Sequence, residues 1–131
     1  MARFFMNLKY VQEWKEKAEH DYQAVDILLK QRTNFLPDII CYHVHQCIEK
    51  YLKGLLAKHE IKIPKTHDLI FLVDELQKKE SDLELMRDIL RKLNRFAVEM
   101  RYPGESATRR EAIEAARQIK EIRKILLTKL S

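Results

Sequence analysis

The sequence predicts an all-α protein: an antiparallel up-and-down helical bundle of four long helices plus one short. Three observations predict it. Apolar residues recur at three- and four-residue steps along most of the chain, the period of a helix with one buried face. Only two Gly and three Pro are present, too little turn chemistry for a sheet of tight hairpins. The stretches between periodic segments are short, and short connections make long helices run antiparallel to their neighbours. A length of 131 residues suits one domain, residues 1–131, able to bury a core without staples.

The first helix is expected from about Asn7 to Lys30, with Leu8, Val11, Trp14, Ala18, Tyr22, Val25 and Leu29 in one stripe. Gln31 to Asn34 breaks it. The second starts near Pro37, a good first-turn residue, and runs to about His59. Its apolar face carries Ile40, Cys41, Val44, Cys47, Ile48, Tyr51, Leu52, Leu55 and Leu56, and its polar face His43, Gln46, Glu49, Lys50 and Lys53. His43, Gln46 and Lys50 line up along one edge of the apolar face. Thr66 is the expected N-cap of a third helix, with Asp68 in its first turn, running to about Lys79 and burying Leu69, Leu72, Val73 and Leu76. Ser81-Asp82-Leu83-Glu84 fits a capping box opening a fourth helix to about Met100, with Leu83, Met86, Leu90, Leu93, Ala97 and Met100 at helical spacing. Pro103 and Gly104 stop it. Thr108-Arg109-Arg110-Glu111 is a second capping box, opening a fifth helix with Ile113, Ala116, Ile119, Ile122 and Leu126 in line.

Composition narrows the function. The formal net charge is +5, concentrated late: Arg109 to Lys129 holds seven Lys/Arg against three Glu, a local +4. Those cations alternate with acids and lack interleaved aromatics, so they read first as a solvated face and second as a nucleic-acid patch. Cys41 and Cys47 stand about 9 Å apart along one helix, too far for a disulfide, and read as buried residues of a reducing compartment. No signal-peptide pattern or apolar run of membrane-spanning length is visible, so a cytoplasmic protein with no membrane contact is expected. Residues two apart on a helix point about 200° apart, so His43 and His45 cannot share a metal ion. No metal and no cofactor is expected.

Two further motifs carry chemistry. His67-Asp68 at a helix start reads as a cap, or as a site where a His and free backbone N–H groups meet a phosphate. In Arg101-Tyr102-Pro103-Gly104, the Pro and Gly are explained by helix termination. An Arg beside a rigid Tyr-Pro turn can hold a phosphate bidentately.

Taken in order, Trp14, Ala18 and Asp21; Cys41-Tyr42-His43, Gln46, Glu49-Lys50, Leu52-Lys53 and Leu55-Leu56; Thr66-His67-Asp68-Leu69 and Leu72; and Arg101-Tyr102-Pro103-Gly104 resemble the HEPN domain family, the nucleotide-binding domain of higher eukaryotes and prokaryotes. The likeness runs from about Trp14 into the fifth helix. It implies an antiparallel bundle that dimerises and that pairs with a minimal nucleotidyltransferase, often as a prokaryotic toxin–antitoxin system. It also implies kinship with metal-independent ribonucleases, whose motif is an Arg followed after four to six residues by a His. There the His would exchange a proton with the ribose 2′-hydroxyl while the Arg holds phosphate. Arg101 matches the Arg, but Glu105 to Arg109 contain no His, and no His follows His67. The expectation is therefore a homodimeric module that binds nucleotide or RNA through Arg101, Tyr102, His67, Lys50 and His43, without cleavage. The alternatives are a ribonuclease toxin using Arg101 and a relocated His (His67 or His43), and a structural dimeric adaptor.

Overall fold

The computed structural model describes residues 2–97 and 102–131, and every regular element among them is helical. Five α-helices form an antiparallel bundle: α1 (Ala2–Leu29), α2 (Pro37–Lys58), α3 (Leu69–Leu76), α4 (Arg87–Asn94) and α5 (Arg109–Leu130). α2 lies at the centre. It packs most extensively against α1 and α5, and also against α3 and α4. All nine apolar residues expected on its buried face are fully buried, as are Leu69, Leu72, Val73 and Leu76 of α3.

Local chemistry fixes the ends. Pro37 opens α2, and Asp38 in its first turn also accepts from the Ala107 amide at 2.6 Å, tying the loop before α5 to the start of α2. The Thr108 capping box forms as expected: Thr108 Oγ1 accepts from the Glu111 amide at 3.0 Å, and Glu111 Oε1 accepts from the Thr108 amide at 2.9 Å. The Tyr102 carbonyl accepts from the Glu105 amide, with Pro103 and Gly104 between them. Gly104 has φ +93°, the left-handed backbone that a Pro-Gly turn of this kind places on its second central residue.

The structure differs from the sequence-based expectation in several places: α1 begins at Ala2 and not near Asn7, and Leu8 of its expected stripe is exposed. The cap of α3 is Asp68, not Thr66: Asp68 Oδ1 accepts from Ile70 N at 2.9 Å, while Thr66 Oγ1 accepts from Asp68 N. The fourth segment is divided into a 3-10 turn (Ser81–Met86), α4 and a second 3-10 turn (Arg95–Ala97), with no capping box at Ser81. Glu84, the acid of that box, is engaged elsewhere: it accepts from Arg87 Nε at 2.6 Å and from a terminal nitrogen of Arg87 at 2.8 Å. Leu83, Met86, Leu90, Leu93 and Ala97 are buried all the same, whereas Met100 lies outside the described residues. Ile113 is exposed; Ala112 and Ala115, one position before it and two after, take its place in the buried line of α5. Finally, Gln46, Glu49 and Lys53 of the expected polar face of α2 are buried.

One ion-pair cluster clamps α1, α2 and α5. Arg123 donates to Glu19 through Nε at 3.1 Å and a terminal nitrogen at 2.7 Å, the fully buried Tyr51 donates to Glu19 Oε1 at 2.6 Å, and the Arg123 guanidinium stacks on Tyr22. Burial opposes the Glu19 charge, but the bonds from Arg123 and Tyr51 outweigh it and hold its carboxyl below the ordinary 4.5. A depressed folded value gives stability that is full above 4.5 and lost as pH falls through the folded value. Glu19→Gln is expected to lose about 1–3 kcal/mol at neutral pH. Thermal melts across an acid series should show the gap to wild type closing as pH falls; a gap that stays constant or widens contradicts this assignment.

Candidate functional site

The candidate site grows from the polar residues of α2. His45, Gln46, Glu49 and Lys53 are 0, 8, 4 and 7% exposed, because α1, α3, α4 and α5 surround this helix. A buried polar group left without a partner costs about 1–3 kcal/mol; Glu49 and Lys53 are paired, whereas Gln46 Nε2 and His45 Nδ1 have no hydrogen-bond partner among the described residues. Two carboxylates organise most of the result.

The first is Asp21 of α1. Its Oδ1 lies 2.8 Å from His43 Nδ1 and its Oδ2 accepts from Lys50 Nζ at 2.6 Å. The i, i+7 spacing of His43 and Lys50 brings both onto one acid, two helical turns apart. The second is Glu49 of α2. Its Oε2 accepts from Lys53 Nζ at 2.9 Å, one turn along, and its Oε1 lies 2.8 Å from His67 Nδ1. His45 Nδ1 is 3.9 Å from the same Oε1, beyond hydrogen-bond reach. Burial holds the His45 pKa below its usual value despite the pull of Glu49 and Asn94, which favours the neutral ring.

Asn94 at the end of α4 pins the loop that carries His67. Its Oδ1 accepts from Leu69 N at 2.9 Å and its Nδ2 donates to Asp68 Oδ1 at 2.8 Å. Leu69, Ile70 and Phe71, the first amides of α3, thus all donate to side chains. The cap reading of His67-Asp68 is the one observed, with no free amide there for a phosphate. The His67 side chain is 57% exposed, and its Nε2 makes no hydrogen bond to the described residues. It borders an open depression lined by Lys65, Thr66, His67, Asp68, Asn94 and Ala97.

The five sequence-derived candidates therefore fall into separate places. His43 and Lys50 meet on Asp21, and His67 sits on Glu49, the residue next to Lys50 in the chain. Tyr102 is 62% exposed in its turn. Arg101 lies outside the described residues, in the segment between Ala97 and that turn. Sequence reasoning did not single out Asp21, Glu49, Lys53 or Asn94 as organisers. Asp21 carried a signal: it stands three residues after Ala18 and four before Val25, an acid within the buried stripe of α1. Asn94 carried none. The cysteines are unsuited to nucleophilic work, since both are buried and burial raises the Cys41 thiol to about 12 and raises Cys47 as well. Among the described residues no group of three or more His, Cys, Asp or Glu is placed to hold a metal ion, and no helix is long and apolar enough to cross a membrane.

The family model described as HEPN domain matches residues 11–130. The chain belongs to the HEPN domain family. It is also similar to a protein of Methanocaldococcus jannaschii named "Putative toxin MJ1304", at 40% identity over 55 residues. That stretch is 42% of this chain and 34% of the relative, so the match spans about a third of the relative's length. No solved structure matches the chain. Within this HEPN bundle, Asn94→Ala strips the buried Leu69 amide and the Asp68 cap of their shared partner. A loss of about 1–3 kcal/mol in urea unfolding is expected, and an unchanged midpoint would show that Asn94 does not hold the loop.

Proposed function

We propose that this HEPN chain binds nucleotide or RNA phosphate, acts as one domain and as a homodimer in the cytoplasm, and serves as the partner of a minimal nucleotidyltransferase without cleaving RNA. Arg101 would hold the phosphate and Tyr102 would offer a stacking face. His67, His43 and Lys50 would line the approach. The observation that carries the proposal is the polar band of α2: Gln46, Glu49 and Lys53 are buried in a bundle whose family match covers residues 11–130. Burying such an ion pair is often no better for stability than an apolar pair of the same volume. Retention of the pair fits a use beyond the fold. The band reaches the surface at His67, beside Ala97, four residues before Arg101.

The Glu49–His67 contact favours a second reading, a metal-independent ribonuclease, and the toxin named among the relatives supports it. His67 Nε2 would take the proton of a ribose 2′-hydroxyl. The 2′-oxygen would attack the adjacent phosphorus, the bond to the 5′-oxygen would break, and water would protonate the leaving oxygen.

One experiment separates the two: a labelled ribo-oligonucleotide in chelator, followed by fluorescence anisotropy and by gel. The binding module predicts an intact oligonucleotide and an affinity about tenfold or more weaker in Arg101→Ala, since a charge-assisted contact contributes about 1.5–3 kcal/mol. Equal affinity in both proteins, or no binding by either, sinks the phosphate-holding role. Cleavage lost in both Arg101→Ala and His67→Asn replaces the first reading with the second.

A further inference from the structure

His67 is the histidine in the described structure best placed to accept a proton or a hydrogen bond from a ligand. The other four differ in ways that matter. His45 is fully buried. His59 is engaged through Nε2, 3.0 Å from Glu80 Oε1. His43 is bound through Nδ1 to Asp21, but its side chain is only 28% exposed and Lys50 is bonded to the same acid. His20 stands exposed on α1 with no hydrogen-bond partner among the described residues. Only His67 has a buried carboxylate on Nδ1, a mostly exposed ring and a bordering depression.

The groups that face it explain the placement. The Glu49 side chain is 5% exposed, and its second oxygen is held by Lys53 from the next turn of α2, so the carboxylate cannot swing away from the ring. The backbone of His67 is held independently. Thr66 Oγ1 accepts from the Asp68 amide, and Asn94 binds both the Leu69 amide and the Asp68 carboxylate. Asp68 is occupied by Asn94 and the α3 amides, and His45 lies behind Glu49. Lys65 is the cation lining the same depression. A carboxylate can only accept, so the ring nitrogen facing it must carry the proton. A neutral ring then has its lone pair on the other nitrogen.

We infer that Glu49 is the positioning residue of His67, fixing its proton on Nδ1 so that Nε2 faces the depression as acceptor for a ribose 2′-hydroxyl. This rests on the reading that the ligand is RNA, whose 2′-hydroxyl is the group by which a protein distinguishes it from DNA. Glu49 itself touches no ligand; it acts through the ring. Lys53 holds Glu49 in turn.

The test is the nitrogen-15 spectrum of the imidazoles, with His67 assigned by its loss in His67→Asn. Wild type, at a pH where the ring is neutral, should show a protonated Nδ1 and an unprotonated Nε2. A ribo-oligonucleotide should shift the Nε2 resonance, and its 2′-deoxy counterpart should leave it in place. Glu49→Met combined with Lys53→Met removes the acceptor without stranding a buried charge, a kind of replacement that is often neutral for stability. In that variant the fixed proton position should give way to the mixture of an unconstrained ring. A wild-type ring protonated on Nε2, or a double variant with an unchanged spectrum, overturns the role of Glu49. Equal shifts with both oligonucleotides overturn the 2′-hydroxyl as the recognised group. Binding of neither, with the proton on Nδ1 as expected, overturns RNA as the ligand and leaves the Glu49 contact standing.

Discussion

α2 is enclosed by four other helices, and most of its polar side chains find partners inside the bundle, Gln46 Nε2 and His45 Nδ1 excepted among the described residues. Burying an unpartnered polar group costs several times the typical net gain from a hydrogen bond, so these partners are a condition of folding. α1 supplies Asp21 for His43 and Lys50, and Glu19 for Tyr51. The loop before α3 supplies His67 for Glu49, and α4 supplies the Asn94 that holds that loop. These contacts join α2 to α1 and to the loop before α3. The apolar core sets how closely the helices pack, and these polar contacts set which residues meet.

The same constraint builds the candidate site. Glu49 and Lys50 are adjacent in the chain, yet a helix turns them toward different neighbours, one to the loop of His67 and the other to α1. His43 and His67 both use Nδ1 for their carboxylate. They differ in exposure, and that difference favours His67 over His43 as the group that meets a ligand. Because the carboxylates serve both fold and site, removing either one alone mixes a loss of stability with a loss of function. Paired replacements that leave no stranded charge separate the two.

Much of the fold was legible because local periodicity determines it. The apolar positions of α2 and α3 follow a helical repeat, and Thr108 to Glu111 is a cap made within four residues. The misplaced features depend on competing partners. Ser81 to Glu84 has the letters of a capping box, but Arg87, which also binds Asp74 of α3, holds Glu84 instead. Thr66 looked like a cap because it is the first hydroxyl before the apolar run; its oxygen instead holds the Asp68 amide, leaving Asp68 to cap the helix. Gln46, Glu49 and Lys53 looked like a wet face, since nothing local shows that α2 is covered on that side. The candidate site was legible as a set of residue types and not as a set of contacts. No spacing in the sequence announces that a glutamate in α2 will meet a histidine eighteen positions on, across a turn.

The central proposal is that ligand meets the bundle where the α2 polar band surfaces, at His67 and the depression it borders. Photo-cross-linking of a thiouridine-containing ribo-oligonucleotide, mapped by mass spectrometry, tests it most directly. Cross-links on the Lys65–Asp68 loop and on Tyr102 are the predicted result. Cross-links confined to the outer, basic face of α5, around Arg117, Lys120 and Lys124, would contradict it.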